Sequence, residues 1–416
     1  MPQYRPDLRN EAWLVAGPAA QLLAVLNGQG EEARAVGGAV RNALLQVPVE
    51  DVDIATTALP DEILRRALAS GFKAVPTGID HGTVTVIVRG QPFEVTTLRE
   101  DVETFGRRAR VAFGRDWKRD AERRDFTINA LSASPDGAIH DYVGGLADLA
   151  LRRVRFIGDA ATRIAEDYLR ILRFFRIHAA YGKGAFDGDA LHAVIGGRAG
   201  LASLSGERVQ GELKKLLVAP GAVPSVEAMG NAGLLLILLG GVTYHASLRE
   251  MISIERTLGL AADPVRRLAA LAVAIPEDAE RLVQRLRLSN ADARRLDSMA
   301  YRWRRWPSLD EAGARVRLYK LGVERYRDRM LMAFARADDR ARAERMADLV
   351  SLPERWPVPV FPLKAGDFIA RGLREGPSLG AALRSAENAW IDAGFPTDAA
   401  ALSAIAETAA KKASQP

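Results

Sequence analysis

The sequence predicts an α+β protein, with a mixed α/β unit in about the first 160 residues and an almost wholly helical remainder. Strand signals occur only in the first part of the chain. They are ARAV before Gly37, VDIAT from Val52, TVTVIV from Thr83, FEVTTL from Phe93 and VRFIG from Val154. From about Ala161 onward apolar residues recur every three or four positions, which is typical of amphipathic helices.

The composition is that of an ordinary folded protein large enough to bury more than one core, with 416 residues of which 48% are hydrophobic. There are 58 Lys and Arg against 52 Asp and Glu, a formal net charge of +6. This mild excess suits an anionic partner such as nucleic acid, but a well-solvated surface can have the same composition. The absence of cysteine excludes disulfides, thiol catalysis and Cys-ligated metals, and it fits a reducing cytoplasm.

No segment predicts a membrane span. The longest aliphatic stretch, Leu234–Leu239, is far shorter than the roughly 18 residues that cross a bilayer. The polar amino-terminal sequence MPQYRPDLRN also lacks the apolar run of a signal peptide. The five histidines are scattered without an HxxxH spacing, so we expect no histidine metal site. These features predict a soluble cytoplasmic protein.

A Gly-Gly turn follows the first predicted strand, in VGGAVRN from Val36. Two glycines at a strand-to-helix turn let backbone amides approach a phosphate, and the amino end of the helix attracts the same anion. Gly38 and Arg41 lie in this first helical turn, within reach of such a phosphate. The same sequence is also common in ordinary turns.

Two aspartates, Asp51 and Asp53, fall on one face of the next predicted strand, because side chains alternate across a strand. Neighbouring carboxylates repel each other and strands disfavour Asp, so a structural purpose is hard to find. A divalent cation resolves the conflict, since carboxylates at this spacing can share Mg²⁺ ions that also bind nucleotide phosphates. An exposed strand end with solvated acids is the alternative.

A third carboxylate is expected from a neighbouring strand, and Glu94 in PFEVTTLR is the best candidate. On a strand it shares its face with Thr96 rather than with Val95. A single polar residue at a sheet edge is the alternative role for this glutamate.

A predicted helical stretch, RRDFTINAL from Arg123, places Asp125 and Asn129 on one face, four residues apart. This polar pair can hydrogen-bond a sugar hydroxyl, and Arg124 can reach a phosphate. The preceding residues, 99–114, are charged and aperiodic, which suits a mobile loop near a site. A solvated connector would have the same composition.

One polar edge runs along a helix predicted over residues 163–181, where Asp167, Arg170, Arg173 and Arg176 recur every three residues. A carboxylate accepts from an exocyclic amine, and a guanidinium donates to a ring nitrogen or a carbonyl oxygen. Asp167 and Arg170 can therefore recognise the Watson–Crick edge of a base. The alternative is an ion pair within the helix beside a solvated stripe of arginines.

Six motifs, in this order and spacing, resemble those of class II tRNA nucleotidyltransferases, the family of bacterial-type CCA-adding enzymes and bacterial poly(A) polymerases. They are GGAVRN, the DVD pair, EVTTLR, RRDFTINAL, DYVGG and EDYLRILRFFRI. The segments LSGERVQGELKKLL at 204–217 and PLKAGDFIARGLREGPSLGAALRSAENAW at 362–390 resemble further parts of the same family. The motifs are weak one by one but form a strong signal together, and the matched blocks span most of the chain.

The resemblance implies catalytic roles for the carboxylates of the first unit. Asp51 and Asp53 match the metal-binding aspartates of the family, and Glu94 matches its acidic strand position. The cofactor implied is Mg²⁺.

The resemblance also implies nucleotide contacts at the Gly-Gly motif and beyond. Gly38 and Arg41 match nucleotide-contacting positions, and Arg124 matches the arginine before Asp-Phe-Thr. The family usually has Asp where this chain has Asn42, so any salt bridge made by that aspartate is lost here.

Nucleotide selection is implied for the polar helix edge. Asp167 and Arg170 match the amino-acid template that selects ATP or CTP without a nucleic-acid template. Arg173 and Arg176 match further nucleotide-contacting arginines.

The implied fold is a polymerase-β-like nucleotidyltransferase head with a small mixed sheet, followed by an all-helical neck, body and tail in an elongated shape. We expect the catalytic head over residues 1–160, a nucleotide-selecting neck over 161–220, a body over 221–350 and an RNA-binding tail over 351–416. Arg371, Arg374 and Arg384 of the tail are predicted to contact RNA phosphates.

The implied activity is addition of CCA to the 3′ end of tRNA from CTP and ATP, with release of pyrophosphate. The nearest alternatives are a poly(A) polymerase and an enzyme that adds only part of the CCA end. A noncatalytic RNA-binding protein is the alternative from another class. The expected partners are tRNA, ATP and CTP, with no membrane and no obligate protein partner.

Overall fold

Two compact units make up the chain in the computed structural model: Met1–Thr243 with Gln284–Arg287, and Tyr244–Val283 with Leu288–Pro416. The structure describes residues 6–79, 82–105, 108–300, 306, 309–336 and 343–414. Within these ranges all strands belong to the first unit, and the second unit is helical. The predicted α+β fold class is confirmed.

The described part of the first unit contains a seven-stranded mixed sheet in the order β3-β4-β5-β2-β1-β8-β9 and a separate two-stranded sheet of β6 and β7. The strands are β1 Ala33–Val36, β2 Asp53–Thr56, β3 Lys73–Gly78, β4 Thr83–Val88, β5 Gln91–Thr97, β6 Arg99–Phe105, β7 Arg108–Phe113, β8 Ser132–Ala133 and β9 Ile139–His140. Strands β2 and β5 pair in parallel, and the other neighbours pair antiparallel. The parallel pair lies near the middle of the large sheet, and β2 carries Asp53.

Helices account for most of the remaining chain. Those of the first unit are α1 Ala12–Val15, α2 Pro18–Leu26, α3 Gly38–Leu44, α4 Pro60–Ala69, α5 Trp117–Glu122, α6 Gly145–Ala150, α7 Ala160–Glu166, α8 Leu169–Tyr181, α9 Gly188–Gly197, α10 Gly206–Val218, α11 Ala222–Asn231 and α12 Leu234–Leu239. Then follow α13 His245–Thr257, α14 Pro264–Ala272, α15 Pro276–Leu286, α16 Asn290–Ala300, α17 Glu311–Leu321, α18 Val323–Ala335, α19 Ala343–Val350, α20 Leu352–Arg355, α21 Ala365–Ile369, α22 Pro377–Asp392 and α23 Ala399–Ser414. No helix in the described ranges combines the length and apolar character needed to cross a membrane.

Two strand predictions differ from the structure. The segment from Val154 is not a strand, and only a single bridge joins Phe156 to Phe126. Its apolar residues serve the core instead, since Phe156 lies 4.8 Å from Phe126 and 5.7 Å from Phe174 between ring centroids. Strand β3 was not predicted, because Pro76 interrupts its pattern; as an edge strand it tolerates proline.

The expected mobile loop over residues 99–114 is wrong as a description of secondary structure. Strands β6 and β7 pair antiparallel over most of this segment and form a hairpin. In the sequence of β7, Arg108 and Arg110 alternate with Ala109 and Val111, which is the period of a strand. The strands were not predicted because the segment is highly charged and has no run of apolar residues. A two-stranded ribbon does not need such a run.

The second unit contains a buried cluster of charges that links four of its helices, α13, α14, α16 and α18. Arg266 of α14 donates to Glu255 of α13 at 2.8 Å, and Arg267 donates to the other oxygen of the same carboxylate at 2.6 Å. Asp328 of α18 accepts from Arg295 at 2.8 Å. Glu255 and Asp328 are each 1% exposed, so these bonds satisfy carboxylates that would otherwise be strongly destabilising.

The DYVGG motif forms a turn that is organised by one carboxylate. Asp141 accepts from the backbone amides of Val143, Gly144, Gly145 and Leu146 at 2.9–3.1 Å. Gly145 packs so closely that a Cβ there would lie 2.3 Å from the carbonyl oxygen of Thr127. The motif therefore fixes α6 against the turn at residues 127–129, which lines the cavity described below.

We predict that Asp141→Ala destabilises the first unit by about 2–3 kcal/mol, because several amides lose a charged acceptor. A loss of this size lowers the thermal midpoint by roughly 5–10 °C in a unit of this size, which calorimetry can measure. Asp136→Ala is the control, since Asp136 accepts from one backbone amide in an exposed turn. Equal shifts in the two variants would contradict the role given to Asp141.

Candidate active site

The Gly-Gly turn joins β1 to α3 through a backbone conformation that favours glycine. Gly37 has φ +68° and ψ −116°, and its amide donates to the carbonyl of Leu131 at 2.9 Å. A Cβ at Gly37 would lie 3.4 Å from Nη1 of Arg124. The turn thus leaves room for Arg124 beside the amino end of α3, where Gly38 begins the helix.

Arg41 of α3 is 7% exposed and is held by neutral groups. Its Nη2 and Nε donate to Oδ1 of Asn42 at 2.9 and 3.2 Å, and its Nη1 donates to Oδ1 of Asn129. The Cζ atom lies 3.8 Å from the ring centroid of Tyr181. Burial lowers the pKa of Arg41, and the charge of Arg176 lowers it further, whereas the hydroxyl of Tyr181 and the carboxylate of Asp125 oppose this shift.

Asp51 and Asp53 are both exposed, and Val52 and Ile54 between and after them are buried. The predicted alternation is therefore present, although β2 begins at Asp53 and Asp51 lies just before the strand. Both carboxylates stand at the end of β2 that receives the chain from α3.

Glu94 lies on β5, beside the start of β2. The parallel register places Ile54 opposite Val95, so Asp53 and Glu94 are the preceding residues of the two strands. Neighbouring protein atoms partly bury the carboxylate of Asp53, and this loss of hydration raises its pKa even though the residue as a whole is exposed. Glu94 and Asp51 raise that pKa further by charge repulsion, and Arg124 opposes them.

These carboxylates have the chemistry of a divalent-cation site. In the described ranges no side chain donates a hydrogen bond to Asp51, Asp53 or Glu94, and repulsion among them raises the pKa of Asp53. A hard cation relieves this repulsion and takes oxygen ligands. In the same ranges no cluster of three or more His, Asp and Glu completes a metal site. Asp51, Asp53 and Glu94 thus have the donor chemistry for a divalent ion but do not form a complete binding site by themselves.

The segment from residue 120 to 129 contributes four charged or polar side chains to the lining of one cavity. They are Arg123, Arg124, Asp125 and Asn129. Asp120 is buried and accepts from Arg123 at 2.8 Å and from Arg124 at 3.1 Å. Burial alone would raise the pKa of Asp120, but these two guanidinium groups lower it below its usual value. Both arginines are thereby fixed along the edge of the cavity.

Asp125 and Asn129 do not lie on an α-helix as predicted. Residues Thr127–Asn129 form a single turn of 3-10 helix, and Asp125 precedes it. The two side chains still meet, since Nδ2 of Asn129 donates to Oδ1 of Asp125 at 3.1 Å. The other oxygen of Asp125 accepts from Nε of Arg173 at 2.7 Å, which links this turn to α8.

The predicted helix of residues 163–181 is broken at Asp167. Asp167 has extended angles, φ −156° and ψ 106°, and its Oδ1 accepts from the amide of Leu169 at 3.1 Å, where α8 begins. Asp167 thus ends α7, and its side chain accepts from the first amide of the next helix, although the sequence has no glycine or proline at this break. The predicted polar edge is consequently a helix start followed by three arginines of α8.

Asp167 and Arg170 do not pair with each other. Asp167 accepts from Arg208 of α10 at 2.6 Å, and Arg170 donates to Glu166 and to the carbonyl of Arg163. Each member of the predicted template is therefore held by another residue. Asp167 and Arg170 both line the cavity described below.

Arg173 and Arg176 lie one and two turns farther along α8. Arg176 donates to Glu212 of α10, and Nη1 of Arg173 lies 3.9 Å from the same carboxylate. Glu212 is buried at 8% exposure. Glu212 of α10 therefore helps to fix the positions of both arginines.

One cavity of about 430 Å³ gathers most of the predicted nucleotide-binding residues. Its lining includes Gly38, Arg41, Asp53, Arg124, Asp125, Asn129, Asp167, Arg170, Arg173 and Arg176. Glu94 lines a second cavity of about 220 Å³, which shares Asp53 and Arg124 with the first. Asp51 lines neither of these two cavities. Seven arginines and three aspartates line the larger cavity, a balance that favours an anionic ligand.

Several lining residues were not predicted individually. Gly37, Arg123 and Arg208 line the larger cavity, and Tyr181 lies against Arg41 at its edge. Arg208 falls within LSGERVQGELKKLL, which the sequence alone marked only as a resemblance. Tyr181 is separated from Arg41 by 140 positions, and no local pattern predicts their contact.

Known proteins with similar sequences and folds act on tRNA. The signature of the family described as "Poly A polymerase head domain" matches residues 33–155. The CCA tRNA nucleotidyltransferase 1, mitochondrial, of Mus musculus is 34% identical over 374 residues, covering 88% of this chain and 84% of that protein. The CCA-adding enzyme of Limosilactobacillus fermentum is 32% identical over 390 residues, covering 92% and 94%.

A solved structure is also similar. The crystal structure of the Bacillus stearothermophilus CCA-adding enzyme in complex with CTP superimposes with a TM-score of 0.71 at 26% identity, covering 90% of this chain and 92% of that one. Both the relatives and this structure match far beyond the head domain, so the similarity includes the helical part of the chain.

Proposed function

The chain belongs to the family of CCA-adding enzymes and CCA tRNA nucleotidyltransferases, and on that premise we propose that it adds C, C and A to the 3′ end of tRNA. The observation that carries the proposal is the shared cavity. Asp53, Arg41 of α3 and the Asp167/Arg170 pair line this one cavity of about 430 Å³. The first two suit a triphosphate, and the pair suits a base. Asp51, Asp53 and Glu94 are together called the carboxylate edge.

The carboxylate edge is proposed to serve the chemical step. Asp51 and Asp53 would hold Mg²⁺, which supplies charge neutralisation for the triphosphate and makes the RNA 3′-hydroxyl more acidic. Glu94 adds negative charge beside Asp53. In the overall reaction the 3′-hydroxyl attacks the α-phosphorus and pyrophosphate leaves, a reaction in which positioning and electrostatics do most of the work.

The phosphates are proposed to lie between the Gly-Gly turn and the arginines. The amide of Gly38 stands at the amino end of α3, and Arg41 projects from the same helix. Arg124 is oriented by Asp120. This arrangement offers an amide and two guanidinium groups to one anion.

The base is proposed to be selected by hydrogen bonds at the start of α8. Asp167 can accept from the 4-amino group of cytosine or the 6-amino group of adenine, and Arg170 can donate to the adjacent ring nitrogen. Uracil and guanine present a carbonyl oxygen where Asp167 needs a donor. CTP and ATP therefore fit the pair, and UTP and GTP do not.

Other parts of the chain are proposed to bind the RNA. The proposed head, neck, body and tail cover residues 1–160, 161–220, 221–350 and 351–416, and the tail is proposed to bind the tRNA. Arg371, Arg374 and Arg384 are exposed there and suit phosphate contacts.

Because the chain lacks cysteine, we also propose a reducing cytoplasm as its location.

Two alternative functions, a poly(A) polymerase and a noncatalytic RNA-binding protein, are less well supported. A poly(A) polymerase would use the same chemistry, but the CCA-adding relatives that match most of the chain favour CCA. A noncatalytic RNA-binding protein would have no need for Asp53 and the Asp167/Arg170 pair around one cavity.

The test is to incubate the protein with tRNA that lacks its CCA end, and separately with oligo(A), adding one nucleoside triphosphate at a time. We expect incorporation of C from CTP, incorporation of A only after two C residues, and no extension of oligo(A). A tRNA with a complete CCA end serves as the control and should not be extended. If CTP were never incorporated, the proposal would fail.

A further inference from the structure

Arg41 is a buried cation without a carboxylate partner in the described parts of the chain. Its guanidinium is bound by two amide oxygens, from Asn42 and Asn129, and is covered on one face by the ring of Tyr181. Burying an unpaired charge is costly unless another group compensates it. Asp125 attracts Arg41 without forming an ion pair with it, and Arg176 repels it, so the positive charge of Arg41 is available for an anion.

Tyr181 is the last residue of α8, the helix that begins beside Asp167. Its contact with Arg41 has close cation–π geometry, with 3.8 Å between Cζ and the ring centroid, inside the roughly 6 Å limit for such pairs. A ring attracts a guanidinium without neutralising it, whereas a carboxylate in the same place would compete with phosphate.

We propose that Tyr181 is a positioning residue: its ring holds the guanidinium of Arg41 in the cavity so that the charge meets the triphosphate of the incoming nucleotide. The inference rests on the proposed function, because it assumes that the anion is a nucleotide. Helix α8 then serves the nucleotide at both ends, with base recognition at its start and the phosphate-binding arginine held at its last residue.

A second connection supports this assignment. Arg41 donates to Asn129, Asn129 donates to Asp125, and Asp125 accepts from Arg173 of α8. The phosphate-binding residue is thus joined to α8 by a hydrogen-bonded chain as well as by the ring of Tyr181. These contacts fix Arg41 from two sides, so removal of the ring should loosen one side only.

The experiment compares Tyr181→Leu with Tyr181→Phe and uses pyrophosphate as a probe that has phosphates but no base. We expect Tyr181→Leu to raise the KM for CTP and for ATP, and the inhibition constant of pyrophosphate, by about tenfold each. Tyr181→Phe keeps the ring and should stay within about threefold of the wild type. The preference for CTP and ATP over UTP should not change, because the proposal assigns Arg41 to the triphosphate and the Asp167/Arg170 pair to the base.

A double-mutant cycle separates positioning from general packing. In an Arg41→Met background, Tyr181→Leu should change the pyrophosphate constant by less than about twofold, because the ring then has no cation to hold. Tyr244→Leu is the control, since the ring of Tyr244 also lies against an arginine, with 5.1 Å between its centroid and Cζ of Arg336, but belongs to the second unit and does not line the cavity. Tyr181→Met, which fills similar volume without a ring, replaces Tyr181→Leu if that variant is less stable than the control.

The inference is overturned if Tyr181→Leu and Tyr181→Met bind pyrophosphate as the wild type does, or if the losses at Arg41 and Tyr181 simply add. These outcomes leave the proposed function intact. Conversely, a wild-type protein that never extends tRNA would remove the proposed function, and pyrophosphate binding to the same variants would still test Tyr181.

Discussion

The Asp53→Asn variant is expected to add nucleotides at least about 10³-fold more slowly than the wild type, equivalent to about 4 kcal/mol of transition-state stabilisation. Asp53 lines both cavities, and burial together with the charges of Glu94 and Asp51 raises the pKa of its carboxylate. Asparagine keeps the shape but cannot supply the negative charge that a divalent ion needs. Single-turnover extension of tRNA lacking CCA, at saturating CTP, measures the loss.

The same substitution should not destabilise the protein. The pKa of Asp53 is raised in the folded state, so ionisation at neutral pH opposes folding when no metal is bound. In metal-free buffer the thermal midpoint of Asp53→Asn should therefore equal or exceed that of the wild type at pH 7. The difference should disappear as the pH falls below the unfolded-state value near 3.8, where Asp53 is protonated in both states.

A matched control is Asp61→Asn, because Asp61 is an exposed aspartate in the first turn of α4, outside both cavities. We expect its activity to stay within about twofold of the wild type, as for most surface substitutions. Mg²⁺ should raise the thermal midpoint of the wild type and of Asp61→Asn, but raise that of Asp53→Asn much less. Undiminished extension by Asp53→Asn would place the metal-dependent chemistry elsewhere.

Asp167→Asn is expected to change which nucleotide the protein accepts. Asparagine presents an amide donor as well as an acceptor, so it can meet the 4-carbonyl of uracil, which the carboxylate of Asp167 repels. We predict that kcat/KM for CTP and ATP falls about 100-fold and that the discrimination against UTP falls to about tenfold or less. A bidentate base contact carries about 1–3 kcal/mol of discrimination, which is consistent with these factors.

The selectivity measurement needs two companions. Asp189→Asn is the control, since Asp189 is an exposed aspartate in the first turn of α9 outside the nucleotide cavity. Arg208→Gln removes the 2.6 Å partner of Asp167 and keeps the carboxylate, so it should weaken selection less than Asp167→Asn does. If Asp167→Asn retained the wild-type ratio of CTP to UTP, the base would be recognised by other residues.

The alternation of acidic and apolar residues from Asp51 to Ile54 correctly predicted which side chains are exposed and which are buried. Val52 and Ile54 are buried and Asp51 and Asp53 are exposed, as a strand requires, although β2 begins only at Asp53. Alternation depends on which side of the backbone meets the core, and this pattern extends one or two residues beyond the hydrogen-bonded ladder. The boundary itself depends on partners, which the local sequence does not contain.

Helical periodicity failed at Asp167 for a related reason. Apolar residues continue with helical spacing on both sides of it, and Tyr168 keeps helical angles, so only one residue departs from the helix. The departure is stabilised by two hydrogen bonds that Asp167 accepts, from the amide of Leu169 and from Arg208 of a later helix. The second contact spans 41 positions, and no pattern within the segment predicts it.

The sequence did not predict the residues that hold the predicted site residues in position. Arg208, Glu212 and Tyr181 each act on a predicted residue through the tertiary fold. Their sequence surroundings are those of ordinary amphipathic helices. Charge and spacing predicted the groups that would face a nucleotide, whereas the groups behind them could be identified only after α3, α8 and α10 were placed.

The most direct test of the account is competitive. The wild-type protein is incubated with tRNA lacking CCA in the presence of Mg²⁺ and all four nucleoside triphosphates at equal concentration, and the 3′ ends are sequenced. We predict that nearly every extended end carries C, CC or CCA, with no further addition. Ends that carry runs of A without C, or a mixture that includes U and G, would contradict the claim that this cavity selects CTP and ATP to build CCA.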